Sequence, residues 1–140
     1  MRRLLGLTIV GVFALTAAGC GDNSSTTTPS TPAPAPGTET FTATIAPGGT
    51  AIHEFTASAV GTVVVTLTTT DPPGTLLGLG IGIPGADIGG CDMTKTIQTV
   101  PGNVGQLTAG VEAGTYCAGA FDVGAVGKNG VLVTISVAHP

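Results

Sequence analysis

The chemistry that this chain could perform depends first on its two histidines, because imidazole is the side chain that most readily takes up a proton near neutral pH. His53 lies in an early strand-like segment, and His139 is the penultimate residue. Nucleophilic hydrolysis needs such a base beside a serine, threonine or cysteine. The sequence contains no G-x-S-x-G nucleophile elbow. We therefore expect no catalytic residues and no enzyme activity.

Two short matches to known motifs lack the context that gives those motifs their chemistry. His53-Glu54 begins like the zinc-protease motif H-E-x-x-H, but the second histidine position is occupied by Ala57. In a strand, residues four apart are also separated by about 13 Å. Residues 80–85 match G-x-G-x-x-G, yet Pro84 interrupts the match and no helix-forming segment follows it. Neither match predicts a metal or nucleotide cofactor, and we expect no cofactor.

Three acidic residues in predicted loops are candidate calcium ligands: Asp87, Asp92 and Asp122. Calcium takes several oxygen ligands, and glycine-rich loops supply backbone carbonyl oxygens as well. The alternative is that the three are solvated turn residues that keep an otherwise apolar protein soluble. The composition favours this second interpretation, and the calcium hypothesis is the weaker one.

The first nineteen residues have the pattern of a signal peptide. A cationic start, MRR, precedes an uncharged apolar run at residues 4–18, which is shorter than the roughly 20 residues that cross a bilayer as a helix. The run ends in AAGC at residues 17–20, which resembles the lipobox of bacterial lipoproteins. The resemblance implies cleavage before Cys20 and a lipid on that residue. An ordinary secretory signal with an incidental Cys20 is the alternative.

Residues 20–40 have the composition of a flexible tether. They are almost wholly Gly, Asp, Asn, Ser, Thr, Pro and Ala, which bury too little apolar area to offset the entropy of ordering. Removal of residues 1–19 leaves two lysines and eight acids, a net charge of 2 − 8 = −6. Anionic headgroups repel such a surface, so the lipid on Cys20 must supply the membrane affinity. We expect anchoring on the exported side of a bacterial membrane, at the outer membrane or cell surface.

The cysteine count predicts one disulfide. If Cys20 carries lipid, Cys91 and Cys117 remain as an even pair in an oxidising compartment. Closing a loop of this length stabilises a fold by roughly 3.5 kcal/mol in the chain-entropy model. The alternative is two buried free thiols.

The part of the chain from residue 41 to residue 140 has the period-two apolar pattern of strands with one buried face. Val63, Val65 and Leu67 give the strongest signal, and Val64 should face away from the core. We expect strands near residues 41–45, 53–57, 63–67, 77–83, 93–100, 104–108, 114–122 and 131–138. About eight antiparallel strands predict an all-β sandwich. With only 9% charged residues and a net charge of −4 for the whole chain, a nucleic-acid partner is excluded.

One predicted strand is unusual because glycine fills one of its faces. Leu77, Leu79, Ile81 and Ile83 share a face, while the intervening glycines leave the opposite face bare. Glycine inside a strand marks close approach, so we expect another segment to pack over this face. The aromatic residues of the domain lie in strands, where packing in the core explains their presence. They are Phe41, Phe55, Tyr116 and Phe121. Because sugar-binding proteins usually present exposed aromatic rings, this placement weakens the case for carbohydrate binding.

The domain resembles the bacterial pre-peptidase C-terminal (PPC) domain. The resemblance rests on AGTYC at residues 113–117, FDVG at 121–124, alternating valine and isoleucine at 131–137, and Glu54-Phe55 before the Val63 strand. It implies a secreted, jelly-roll-like β-sandwich, often attached to proteases, whose members in some cases bind collagen, other polymers or calcium. Residues 74–76 are Gly-Thr-Leu where the family often has aspartates, so no calcium or ligand residue is carried over.

These observations favour a non-catalytic module of the bacterial envelope, monomeric, with a binding or structural role. Its membrane contact is the lipid on Cys20, and its possible partner is an extracellular polymer or protein. The alternative is an accessory, substrate-binding subunit of a separately encoded secreted hydrolase. A glycan and polymer binding survey would separate these functions.

Overall fold

A computed structural model of the protein describes residues 35–140. The predicted signal peptide, Cys20 and most of the predicted tether lie outside these residues. The described part contains eight strands and a short 3-10 turn at Ile88–Gly90. The strands are β1 (Gly37–Ile45), β2 (Thr50–Ala57), β3 (Gly61–Asp71), β4 (Leu77–Pro84), β5 (Cys91–Thr99), β6 (Leu107–Val111), β7 (Gly114–Asp122) and β8 (Val131–His139). Within the described residues, no helix has the length and apolar character needed to span a bilayer.

The strands form two four-stranded antiparallel sheets that pack face to face. Sheet A has the order β1-β8-β3-β6, and sheet B has the order β2-β7-β4-β5. Consecutive strands mostly pass from one sheet to the other, which gives the strand order of a jelly roll. The predicted all-β, jelly-roll-like sandwich of eight antiparallel strands is therefore confirmed.

Alternating side chains from both sheets form the core. Val63, Val65 and Leu67 are fully buried, and Phe55 is 3% exposed. Val64 is half-buried on the opposite face of β3, as its alternation with Val63 and Val65 predicts. The core also takes in Ile45, Leu77, Leu79, Ile81, Leu107, Val131, Val133, Ile135 and Val137, all of them at most 2% exposed.

Three predicted details differ from the structure. β1 begins at Gly37, four residues before the predicted start of the domain. The strand predicted at residues 104–108 is β6, at Leu107–Val111, because residues 100–106 form an irregular edge beside β3. Ile83 is 49% exposed, since the register between β4 and β5 shifts after Ile81 and carries the end of β4 away from the core.

The glycine face of β4 is covered, but by side chains of the two neighbouring strands of sheet B, β7 and β5, and not by a separate segment packed over it as expected. A Cβ atom at Gly78 would overlap the ring of Phe121, and one at Gly80 would overlap the Met93 sulfur. Phe121 therefore lies on the outer face of sheet B, and the expectation that all four aromatic residues serve the core is wrong for this one. Phe55 is a core residue, and Phe41 and Tyr116 pack against the core.

Candidate functional site

The two cysteines predicted to pair form a disulfide. Cys91 at the start of β5 is bonded to Cys117 in β7, with a Cα–Cα distance of 5.9 Å, and both are fully buried. The Cys91 Sγ also lies 3.7 Å from the Met93 Sδ. The bond joins two strands of sheet B that are separated by β4. The alternative of two free thiols is wrong.

The predicted calcium candidates organise loops through backbone hydrogen bonds. One carboxylate oxygen of Asp122 accepts the N–H groups of residues 124, 125 and 126, and the other accepts that of Gly48 at 2.8 Å. The Gly48 N–H, followed by those of the 124–126 turn, lowers the pKa of Asp122. Asp92 accepts the N–H of Asp87 at 2.9 Å. Within residues 35–140, no three His, Cys, Asp or Glu side chains are grouped to hold a metal ion.

The structure brings the two histidines to one carboxylate, which sequence reasoning missed. Glu39 in β1 contacts the Nε2 atom of His53 at 2.5 Å and the Nε2 atom of His139 at 3.1 Å. The cluster joins β1 and β8 of sheet A to β2 of sheet B. Glu39 falls within residues 20–40, the predicted tether, for which the sequence predicts no site residue other than Cys20. The alternating pattern GTETFTATI could have extended the strand back to residue 37.

An aromatic ring packs against each histidine of this histidine–glutamate cluster. The ring of Phe41 stacks on His53 with centroids 4.9 Å apart, and that of Phe55 lies 5.3 Å from His139. The hydrogen bond from His53 is the main factor that lowers the pKa of Glu39, and His139 adds to it. A carboxylate that accepts two imidazole hydrogen bonds fastens edge strand β1 to both sheets. We interpret the cluster as a structural clasp.

A surface rich in hydroxyl groups covers the outer face of sheet A. We call it the threonine face. It comprises Thr38, Thr40, Thr42 and Thr44 of β1, Thr134 and Ser136 of β8, and Thr66, Thr68 and Thr69 of β3. In β1 and β8 these residues alternate with residues that face the other sheet, so their side chains share the outer face. In β3 a register shift after Leu67 places Thr69 opposite Thr134 on the same face.

Strand register aligns the threonine face into rows. Thr40 pairs with Ser136, which pairs with Thr66 on its other side. The next row starts at Thr42 and reaches β3 through Thr134. Neighbouring strands lie about 4.8 Å apart, so each row presents hydroxyl groups at that spacing.

The second row is held together by its own hydrogen bonds. The hydroxyl groups of Thr42 and Thr134 are 3.3 Å apart. A shift of register after Leu67 leaves Thr68 beside the ladder, where its hydroxyl donates to the Thr134 carbonyl at 2.9 Å. Thr69 is then the cross-strand partner of Thr134. The row thus runs without interruption from the edge of β1 to β3.

The threonine face carries almost no charge. Of the outward residues of β1, β8 and β3, only Asp71 is ionisable, and it lies at the end of β3 opposite Leu132. At the far edge of sheet A, Lys95 extends from β5 and donates to the Thr108 carbonyl at 2.6 Å. The outer face of sheet B differs, because Glu54 is exposed there.

The second row ends in a cavity of about 320 Å³. Its lining residues are Thr68, Thr69, Thr70, Pro73, Gly74 and Pro101. The cavity therefore offers threonine hydroxyl and methyl groups together with two proline rings, and none of the lining side chains is ionisable. Its volume lies within the range of about 300–1,000 Å³ that is typical of small-ligand sites.

Side-chain hydrogen bonds fix both walls of this cavity. On one wall, the Thr70 hydroxyl accepts the Thr75 N–H at 3.2 Å, and the Thr75 hydroxyl donates to the Pro72 carbonyl at 2.8 Å. On the other, Gln106 accepts the Leu67 N–H at 2.7 Å and donates to the Val100 carbonyl at 3.0 Å. These bonds hold the loops that carry Pro73 and Pro101.

No family model, curated protein or solved structure matches the chain. The resemblance to the PPC domain stays a prediction, and the functional argument depends on the residues and geometry described above.

Proposed function

We propose that the protein is a lipid-anchored, non-catalytic binding module of the bacterial cell envelope, displayed on the exported side of the membrane. The cysteines carry this proposal. Cys91 and Cys117 are bonded to each other, a pairing typical of exported proteins. Cys20, the remaining cysteine, stands at the end of the AAGC sequence that resembles a lipobox.

The polar groups of the domain favour binding over catalysis. Both histidines contact Glu39, so the two candidate bases are engaged in the clasp between the sheets. The side chains that line the cavity are neutral threonines and prolines. Such groups can hold a ligand by hydrogen bonds and apolar contact, whereas hydrolysis needs a base beside a nucleophile.

Metabolic labelling with an alkyne fatty acid in a bacterial host tests the anchor. We expect the full chain to take up the label, to fractionate with membranes, and to have a mature mass that starts at acylated Cys20. Cys20→Ala should lose the label and the membrane association. The double variant Cys91→Ser/Cys117→Ser is the matched control, because it removes cysteines and should keep the label. An unlabelled wild type in the soluble fraction would contradict the proposal.

Accessibility on intact cells tests the exported side. Protease added to whole or outer-membrane-permeabilised cells should digest the wild-type domain while a cytoplasmic marker stays intact. A domain that is digested only after the inner membrane is lysed would refute the assignment to the exported side.

A further inference from the structure

We propose that the threonine face and the adjoining cavity bind a neutral polysaccharide. This inference depends on the proposed function in one respect, that the domain is a binding module, and it names the ligand. The chain of the polymer would lie along the second row, from Thr42 through Thr134, with one sugar ring in the cavity beside Thr69.

The charge of the surface selects for a neutral ligand. Residues that line the cavity carry no ionisable group, and the outward positions of β1, β8 and β3 carry only Asp71. The mature chain has a net charge of −6, obtained from two lysines and eight acids. Polyanions are repelled by such a protein. A polycation could pair with a single carboxylate, that of Asp71 at the edge of the face, and with none along the two rows. Neither kind of charged polymer therefore matches this surface.

The hydrogen-bonding groups of the face match those of a sugar. A threonine hydroxyl both donates and accepts, as does each hydroxyl group of a neutral sugar. The β-branched side chain has few χ1 rotamers, so rows of threonine hold their hydroxyl groups in position at small entropic cost. Threonine methyl groups and the rings of Pro73 and Pro101 provide apolar contact for the C–H faces of a sugar ring.

The dimensions of the site fit an extended polymer. The second row crosses three strands, which at about 4.8 Å per strand spans roughly 10 Å before the cavity begins. The face lacks the aromatic and arginine anchors of protein interfaces, and it equally lacks the aromatic rings on which sugars often stack. A protein matrix is therefore the competing occupant, and the gelatin probe below distinguishes it from a polysaccharide. A neutral polysaccharide is therefore the occupant that charge, hydrogen bonding and shape favour together.

Binding of the full chain, purified in detergent micelles, tests the proposal. The probes are the neutral polymers amylose, cellulose, β-1,3-glucan, mannan, chitin and dextran, together with dextran sulfate and diethylaminoethyl-dextran as charged forms of one backbone, and gelatin as a protein matrix. We expect retention on at least one neutral polymer, with little dependence on salt because no charge pairing is involved. Retention on none of the neutral polymers, or on charged dextrans or gelatin alone, would overturn the proposal.

Matched lysine substitutions locate the site. Thr42→Lys places a charged side chain in the second row, whereas Thr56→Lys makes the same change at an exposed β2 position on the outer face of sheet B. We expect Thr42→Lys to weaken binding at least tenfold and Thr56→Lys to leave it within twofold. Thr42→Val removes the hydroxyl but keeps the β-branched shape, and should weaken binding severalfold while the circular dichroism spectrum stays that of the folded wild type. Equal affinity in wild type, Thr42→Lys and Thr42→Val would place the binding elsewhere.

The same preparations separate this inference from the anchor. Acylation is measured on each by intact mass. Polysaccharide binding by a chain that lacks the acyl group would support the threonine face and contradict the lipid anchor. An acylated chain that binds no neutral polymer would leave the anchor standing and refute the inference.

Discussion

Gly119→Ala should destabilise the sandwich strongly although it adds a single methyl group. Gly119 lies in β7 between Ile52 of β2 and Gly80 of β4. A Cβ atom there would overlap the backbone carbonyl oxygen of Ala51 and lie 2.8 Å from the Ile52 Cδ1 atom. The side chain of Ile52 can rotate, but the carbonyl cannot move unless β2 shifts against β7. The added methyl group must therefore distort the pairing of these two strands.

The expected loss can be estimated from overpacking. Extra methylene groups in a well-packed site typically cost about 1–3 kcal/mol, and a backbone contact belongs at the upper end of that range. Alanine offsets about 0.5–1 kcal/mol of this because it is less costly to order than glycine. The net loss is about 2 kcal/mol, which lowers the melting temperature of a domain of this size by roughly 8–16 °C.

Gly110→Ala provides the matched control. Gly110 also lies inside a strand, β6, but no heavy atom would lie within 4 Å of the added Cβ. Thermal unfolding of the two oxidised variants and the wild type, followed by circular dichroism, should show a large decrease for Gly119→Ala and an unchanged or slightly raised melting temperature for Gly110→Ala. Similar melting temperatures for the two variants would mean that β2 and β7 do not approach as closely as described.

Two further perturbations test the disulfide and the clasp. Cys91→Ser/Cys117→Ser opens a loop with a sequence separation of 26 residues and should lower the free energy of unfolding by roughly 3.5 kcal/mol in the chain-entropy model. We expect a melting temperature more than 10 °C below that of the oxidised wild type, and the reduced wild type should melt with the variant. Equal melting temperatures of the variant and the oxidised wild type would refute a stabilising role for the disulfide. Glu39 has a pKa lowered from its ordinary value of 4.5, so its contribution to stability is present above that pH and is lost as pH falls through the folded-state pKa. Glu39→Gln should therefore flatten the dependence of the free energy of unfolding on pH in the acid range. The control Glu54→Gln, which removes an exposed carboxylate of β2, should follow the wild type. Parallel plots of unfolding free energy against pH for wild type and Glu39→Gln would contradict the clasp.

Local sequence pattern was sufficient for the fold class and for much of the packing. Alternation at period two identifies which side chains of a strand share a face, and it correctly assigned Val65 and Phe55 to the core. The row of glycines in β4 predicted a covered face for a similar reason, since a bare strip of backbone admits a close neighbour. The disulfide followed from counting, because one cysteine belonged to the lipobox-like segment and two remained.

Strand pairing decided the features that the pattern left open. Alternation says which face a residue occupies but not which strand lies beside it, because pairing partners are distant in sequence. Glu39 and His139 are one hundred residues apart and meet only because β1 pairs with β8. A register shift of β5 against β4 after Ile81 exposes Ile83 despite its place in the apolar pattern.

The candidate site shows the same division between sequence and tertiary structure. The sequence by itself determined that threonines alternate with apolar residues in β1, and hence that they lie on the outer face. The jelly-roll order brought Thr42 beside Thr134 and Thr134 beside β3. The loops that carry Pro73 and Pro101 then closed the end of that row into a cavity. Hydroxyl groups from three strands far apart in the chain form one surface because hydrogen bonds between those strands fix their register, and no local pattern encodes that alignment.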